Sequence, residues 1–313
     1  MSETGARLLV DWGTTNLRAF LVTDDGVILD RQVSDRGILS VEAAVMPSVL
    51  DELAAPWSEE IGDRPAVLCG MVGSANGWHE VPYADCPAAF DDLPKAAAKL
   101  HSAAGRAVFI LPGLTRRREL APGLSQADVM RGEETQIFGA LSCLERGDAT
   151  FCLPGTHSKW ALAKDGSCVD FATYFTGELY SVLSQHSLLG RLMKPPQEVA
   201  EKGLPAGFAR GLATAKASDG LSGTLFATRA DILAGLMTGA EGAGYLSGLL
   251  IGMEIREALP RFAPAGPIVV VGAHGLVPLY LAALEDAGAA VEALDGEAAV
   301  VAGLLRAARI LES

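Results

Sequence analysis

Residues Leu8-Leu9-Val10-Asp11-Trp12-Gly13-Thr14-Thr15-Asn16-Leu17-Arg18-Ala19-Phe20-Leu21-Val22 begin as an apolar run that ends in an acid. A Gly-Thr-Thr turn follows, and alternation resumes through Leu17, Ala19 and Leu21. The pattern predicts two strands of a hairpin with the polar groups gathered at the turn. Gly13 permits a tight bend, which leaves amide N–H groups and the hydroxyls of Thr14 and Thr15 free to face an anion. Asp11 ends its strand, where a carboxylate can hold magnesium through the ion's water shell. One such turn by itself reads better as a capped surface hairpin. The chain carries a second, Leu153-Pro154-Gly155-Thr156-His157-Ser158-Lys159-Trp160-Ala161, again after a short apolar run.

Two Gly-Thr hairpins in successive halves of a chain resemble the phosphate-binding hairpins of the actin, sugar kinase and heat-shock ATPase superfamily. Further blocks resemble one of its families, the 2-dehydro-3-deoxygalactonokinases. They are Asp11-Trp12-Gly13-Thr14-Thr15-Asn16-Leu17-Arg18, Gly70-Met71-Val72-Gly73-Ser74, Met130-Arg131-Gly132-Glu133-Glu134-Thr135-Gln136, Pro154-Gly155-Thr156-His157-Ser158-Lys159-Trp160 and Thr176-Gly177-Glu178-Leu179. The third and fourth blocks are far more selective than the hairpins alone.

The resemblance implies an α/β, two-lobed ribonuclease H-like (actin-like ATPase) fold, each lobe a mixed sheet flanked by helices. It implies an N-terminal lobe over 1–145 with the first phosphate hairpin and a substrate loop. A C-terminal lobe over 146–313 would carry the second hairpin and an adenosine motif, its last helix crossing back to the first lobe. The implied cofactors are ATP and Mg2+. The implied reaction is phosphorylation of the 6-hydroxyl of 2-dehydro-3-deoxy-D-galactonate, with sugar acid and nucleotide in the cleft. A kinase of another sugar acid, such as 2-dehydro-3-deoxygluconate, and a phosphohydrolase of the same fold stay open, because spacing alone reaches only a nucleotide-phosphate cleft.

By the same resemblance Asp11 orients the metal. Gly13, Thr14, Thr15, Gly155 and Thr156 contact phosphates, with His157 and Lys159 as further donors. A solvent-facing strand position is the competing reading of Lys159. Gly272-Ala273-His274-Gly275, after the buried strand Ile268-Val269-Val270-Val271, resembles the adenosine motif through Gly272, Ala273 and Gly275. In sugar kinases of the superfamily an acid-Thr pair opening a helix before the second hairpin supplies the general base. By that analogy Glu134, followed by Thr135, takes the proton of the attacking hydroxyl. Glu133 is the alternative base or a metal-shell ligand, and a glutamate here departs from the aspartate of many sugar kinases. Arg131 would neutralise the substrate carboxylate or the transferred phosphoryl group. Gly73, Ser74, Asn76 and Trp78 follow a strand end, where open α/β sheets bind ligands. With Arg18 they form the expected substrate wall, a tight turn with Trp78 in the core being the plainer reading.

At 313 residues the chain can bury one large or two ordinary cores, built from Ala, Val and Leu because only 6% of it is aromatic. A net charge of −13 argues against a nucleic-acid partner. Five scattered cysteines without a Cys-x-x-Cys fit reduced thiols in a cytoplasmic protein. No run approaches the ~18–20 apolar residues that span a bilayer. The composition leaves room for a homodimer.

Apolar spacing predicts helices over 41–57, 91–103, 225–236 and 241–258, and a final helix from Gly296. Another runs from Thr176, its N-cap, to Met193, before Pro195-Pro196. Arg116-Arg117-Arg118-Glu119 reads as a solvated basic loop. Gly244, Gly248 and Gly252 recur every four residues, the spacing of close helix packing.

Overall fold

The computed structural model describes residues 5–193, 204–272 and 275–312. Its first hairpin is β1 (Arg7–Trp12) and β2 (Leu17–Val22), with Leu9 opposite Phe20 and Asp11 opposite Arg18. Then come β3 (Ile28–Ser34), α1 (Met46–Ala54), α2 (Ser58–Ile61), β4 (Ala66–Cys69), the two-residue strands β5 (Ala84–Asp85) and β6 (Ala88–Ala89), and α3 (Asp92–Lys95). β7 (Ala98–His101), β8 (Ala107–Ile110), β9 (Leu114–Ala121), β10 (Leu124–Met130) and α4 (Glu133–Cys143) complete the first half.

The first sheet runs β3-β2-β1-β4-β8-β7, with β1 antiparallel to β2 and parallel to β4. Every residue of β4 is buried, as expected for a strand covered on both faces. Leu8, Val10, Trp12, Leu50, Trp57 and Leu68 belong to the core packed on this sheet.

Two expectations fail here. The helix read over 91–103 is one turn, α3, followed by β7 on the sheet edge, where Leu100 lies opposite Val108. Alanine-rich segments favour helix in isolation, but a ladder partner overrides that preference. The basic loop at 116–119 is strand, because β9 pairs with β10 in a long ribbon that turns at Pro122-Gly123, with the short β5 parallel to β9 at its base. Arg116 is ion-paired with Asp170, while Arg117 and Arg118 are exposed.

The second half contains β11 (Ala149–Leu153), β12 (Ser158–Lys164), β13 (Ser167–Tyr174), α5 (Thr176–His186), α6 (Phe208–Ala217), α7 (Leu221–Thr224), α8 (Ala227–Leu233), α9 (Gly239–Phe262), β14 (Ile268–Gly272), α10 (Val277–Asp286) and β15 (Val291–Asp295). The strand order is β15-β14-β11-β12-β13-β6, with β11 parallel to β14 and β13 antiparallel to β6. A Thr238–Glu241 capping box starts α9. Along it Gly248 lies against the Phe208 carbonyl and Gly252 against Ala215, so the glycine spacing does mark a close helix pair, with α6. α5 stops at His186 and not at Met193, and Thr176 is its first residue, not its cap. The Pro195-Pro196 break lies outside the described residues.

The last helix, α11 (Gly296–Glu312), packs on α4, where a Cβ on Gly303 would stand 2.2 Å from the Thr135 carbonyl oxygen. The chain divides into two compact units. The first comprises Met1–Asp148, Leu162–Phe171 and Asp295–Ser313; the second comprises Ala149–Ala161 and Ala172–Leu294. The first unit thus includes 162–171 and the last helix.

Candidate active site

In the first unit Gly13 N–H donates to the Asn16 carbonyl at 2.9 Å, closing the turn after β1. The carbonyls of Gly13, Thr14 and Thr15 accept the amides of Ile38, Leu39 and Gly37, so a second backbone segment braces the turn from behind. Thr14, Thr15 and Asn16 stay exposed. Asp11 accepts from the Arg18 guanidinium at Oδ2 and from the Cys69 thiol at Oδ1, 4.0 Å away. Burial pushes the Asp11 carboxyl up from its ordinary range, against the lowering effect of Arg18. Sequence alone placed Arg18 on the substrate wall; the structure makes it the ion-pair partner of Asp11.

Two glycines bring the remaining acids to the same place. Gly70 has φ +92°, and a Cβ there would stand 2.8 Å from the Trp12 carbonyl oxygen and 3.1 Å from Asp11 Oδ1. Gly132 has φ +109° and faces Gly70 Cα, so the strand end carrying Asp11 and the start of α4 approach through two missing side chains. Glu134 has no exposed surface. Its Oε2 accepts Gly132 N–H at 2.7 Å and its Oε1 accepts the Thr135 hydroxyl at 3.0 Å. Burial pushes this carboxyl up to about 8, and the neighbouring Glu133 charge adds to the rise. Glu133 is only half-buried, and its Oε2 accepts Arg131 N–H at 3.1 Å.

Arg131 is 7% exposed. Its Nη2 donates to the Val81 carbonyl at 2.7 Å, and its guanidinium lies over the Tyr83 ring, 4.2 Å from the centroid. Nε and Nη1 have no hydrogen-bond partner. Gly73 packs on Nη1, so a side chain at 73 would collide with it. Ser74 closes its own turn by donating to the Met71 carbonyl, Asn76 is exposed, and Trp78 leans on the core.

In the second unit Gly155 and Thr156 form the turn before β12. Glu178 N–H donates to the Thr156 carbonyl at 2.8 Å, and a Cβ on Gly177 would lie 2.3 Å from the Gly155 oxygen, so α5 starts directly on this turn. His157 Nε2 meets Glu178 Oε2 at 2.5 Å and its ring stacks on Phe175. Lys159 is buried, not solvent-facing, and donates to the His157 carbonyl.

A cavity of about 330 Å³ opens beside the turn, lined by Gly155, Thr156, Thr176, Gly244, Leu279 and Tyr280 among others. Gly272 and Gly275 are not among its lining residues, and Ala273 lies outside the described residues. Thr176, Gly244 and Tyr280 escaped the sequence reading. Each carries a pattern with a sufficient structural explanation, a helix start, a packing glycine or a core aromatic.

The family model for 2-keto-3-deoxy-galactonokinase matches residues 11–307. The chain is 35% identical over 312 residues to a protein of Rhizobium meliloti (strain 1021) named as a probable 2-dehydro-3-deoxygalactonokinase, with 99% of each covered. It is 35% identical over 301 residues to the 2-dehydro-3-deoxygalactonokinase of Escherichia coli (strain K12), covering 96% of this chain and 97% of that one. A crystal structure of a candidate 2-dehydro-3-deoxygalactonokinase from Sinorhizobium meliloti superposes with a TM-score of 0.84 at 35% identity, over 97% of this chain and 98% of that one. At 12% identity, the ADPNP-bound activator of 2-hydroxyisocaproyl-CoA dehydratase from Clostridium difficile shares the fold with a TM-score of 0.51, over 98% and 96% of the two chains.

Proposed function

The chain belongs to the 2-keto-3-deoxy-galactonokinase family, and on that premise we propose that it transfers the γ-phosphoryl group of ATP to the 6-hydroxyl of 2-dehydro-3-deoxy-D-galactonate. The observation that carries the acidic substrate is Arg131. Two buried guanidinium nitrogens without hydrogen-bond partners are costly, and an anionic ligand relieves that cost. The sugar-acid carboxylate is the anion assigned to it.

Between the two glutamates, exposure favours Glu133 as the base, since Glu134 has no surface that a substrate hydroxyl can touch. Glu134 then holds the start of α4 through Gly132 N–H and Thr135. The turn at Thr14-Thr15 offers exposed hydroxyls to phosphate oxygens, and the cavity beside Gly155-Thr156 takes the nucleoside. Among the described residues no group of three or more acids, histidines or cysteines would cage a metal. One or two carboxylates, here Asp11 and Glu133, suit Mg2+ delivered with the nucleotide phosphates. That ion, when bound, neutralises the phosphoryl charge. Five free cysteines support a reducing, cytoplasmic setting.

The test is a coupled assay of ADP release with MgATP and 2-dehydro-3-deoxy-D-galactonate, beside its gluconate epimer and a control without acceptor. Turnover with the galactonate form alone is expected. Equal turnover with both epimers would withdraw the substrate name, and release without acceptor would make the protein a hydrolase.

A further inference from the structure

Glu254 sits within α9 and is 3% exposed. Trp160 Nε1 donates to its Oε1 at 2.9 Å, and the Tyr280 hydroxyl donates to its Oε2 at 2.8 Å. The Thr176 and Ser158 side chains lie close enough to favour the charged form of this carboxyl as well. Ser158 Oγ and Tyr280 Oη are themselves 2.7 Å apart. None of these partners is a cation, so a cluster of neutral donors holds the group. An apolar side chain would satisfy packing at such a place more cheaply than a buried carboxylate does.

The donors come from three elements around the cavity. Ser158 and Trp160 begin β12, directly after the Gly155-Thr156 turn. Thr176 opens α5, whose Gly177 presses on Gly155, and Tyr280 lies near the start of α10. Thr176 and Tyr280 also line the cavity.

We propose that Glu254 is a positioning residue for the nucleotide, fixing the phosphate turn, the start of α5 and the start of α10 in one arrangement through Ser158, Trp160, Thr176 and Tyr280. The proposal rests on the cavity being the nucleotide site. Glu254→Leu removes both acceptors, leaves Trp160 an orphaned buried donor and leaves Tyr280 only its Ser158 partner, which releases the three elements from their common anchor. Glu254→Gln keeps an acceptor for Trp160. Its amide can donate to Tyr280 Oη while Tyr280 turns its proton to Ser158, so it is the rescue variant.

The experiment is calorimetric titration of MgADP into wild type and both variants, with KM measured separately for MgATP and for the sugar acid. Glu254→Leu is expected to raise the MgADP Kd and the MgATP KM about tenfold or more. Glu254→Gln should stay within about threefold of wild type, and the sugar-acid KM within about twofold in both variants. Unchanged nucleotide binding in a folded Glu254→Leu protein overturns the proposal, as does a loss falling equally on nucleotide and sugar acid. Should Glu254→Leu fail to fold, Tyr280→Phe decides by the same criteria, a rise in the MgATP KM alone supporting the proposal and no change overturning it. Absence of MgADP binding to the wild-type chain would instead overturn the nucleotide reading beneath it.

Discussion

Glu133 and Glu134 are adjacent in the chain and opposite in setting. Glu133→Gln is expected to lower kcat by about 10²–10⁴-fold, the usual contribution of a positioned base. Glu134→Gln should lower it far less; single-turnover rates with the two variants in the reverse order would move the base to Glu134. Glu134 has a signature of its own. Its carboxyl titrates near 8 in the folded chain against 4.5 as an isolated group, so protons bind more tightly to the folded state. The resulting stability is fully present below about pH 4.5 and is lost as pH rises through 8, up to about 5 kcal/mol in all. Thermal melts of Glu134→Gln should therefore depend less on pH between these limits than wild type. Arg131→Lys, which loses the planar stack on Tyr83, should raise the sugar-acid KM about tenfold and leave the MgADP Kd unchanged. The candidate residues could be named because their types sit in distinctive blocks. Their partners were not: nothing in one dimension says that Gly70 faces Gly132, or that Arg18 spends its charge on Asp11.

At the scale of elements, β1, β4, β11 and β14 were legible as continuous apolar runs and β2 by its alternation. The ribbon of β9 and β10 was missed because its residues are mostly exposed and carry charge in place of alternation. The segment 91–103 was misread because local helix preference yielded to an edge ladder with β8. The α4–α11 pair shows how little room such packing leaves. A Cβ on Gly139 would stand 1.8 Å from the Ala299 carbonyl oxygen, and backbone cannot move aside as a side chain can. Gly139→Val is accordingly expected to destabilise the protein by about 3 kcal/mol or more, read from chemical denaturation.

For the whole molecule, the doubled hairpin announced two related halves, and the fold class followed from it. Nothing in the hairpins says that 162–171 joins the first unit, since that segment lies far in sequence from most of it. Ligand linkage gives a measurement at this scale. A nucleotide bound only by the native state, at a hundred times its Kd, should stabilise the protein by about 2.7 kcal/mol, visible as a rise in Tm with MgADP. The ribbon has one more consequence. Its tip, Pro122-Gly123, is exposed, and its base runs from Met130 straight into Arg131 and Glu133. A fluorophore or short reporter peptide grafted at the tip would sit on a lever whose fulcrum is the proposed carboxylate receptor, and would turn occupancy by sugar acid into an optical signal outside the core.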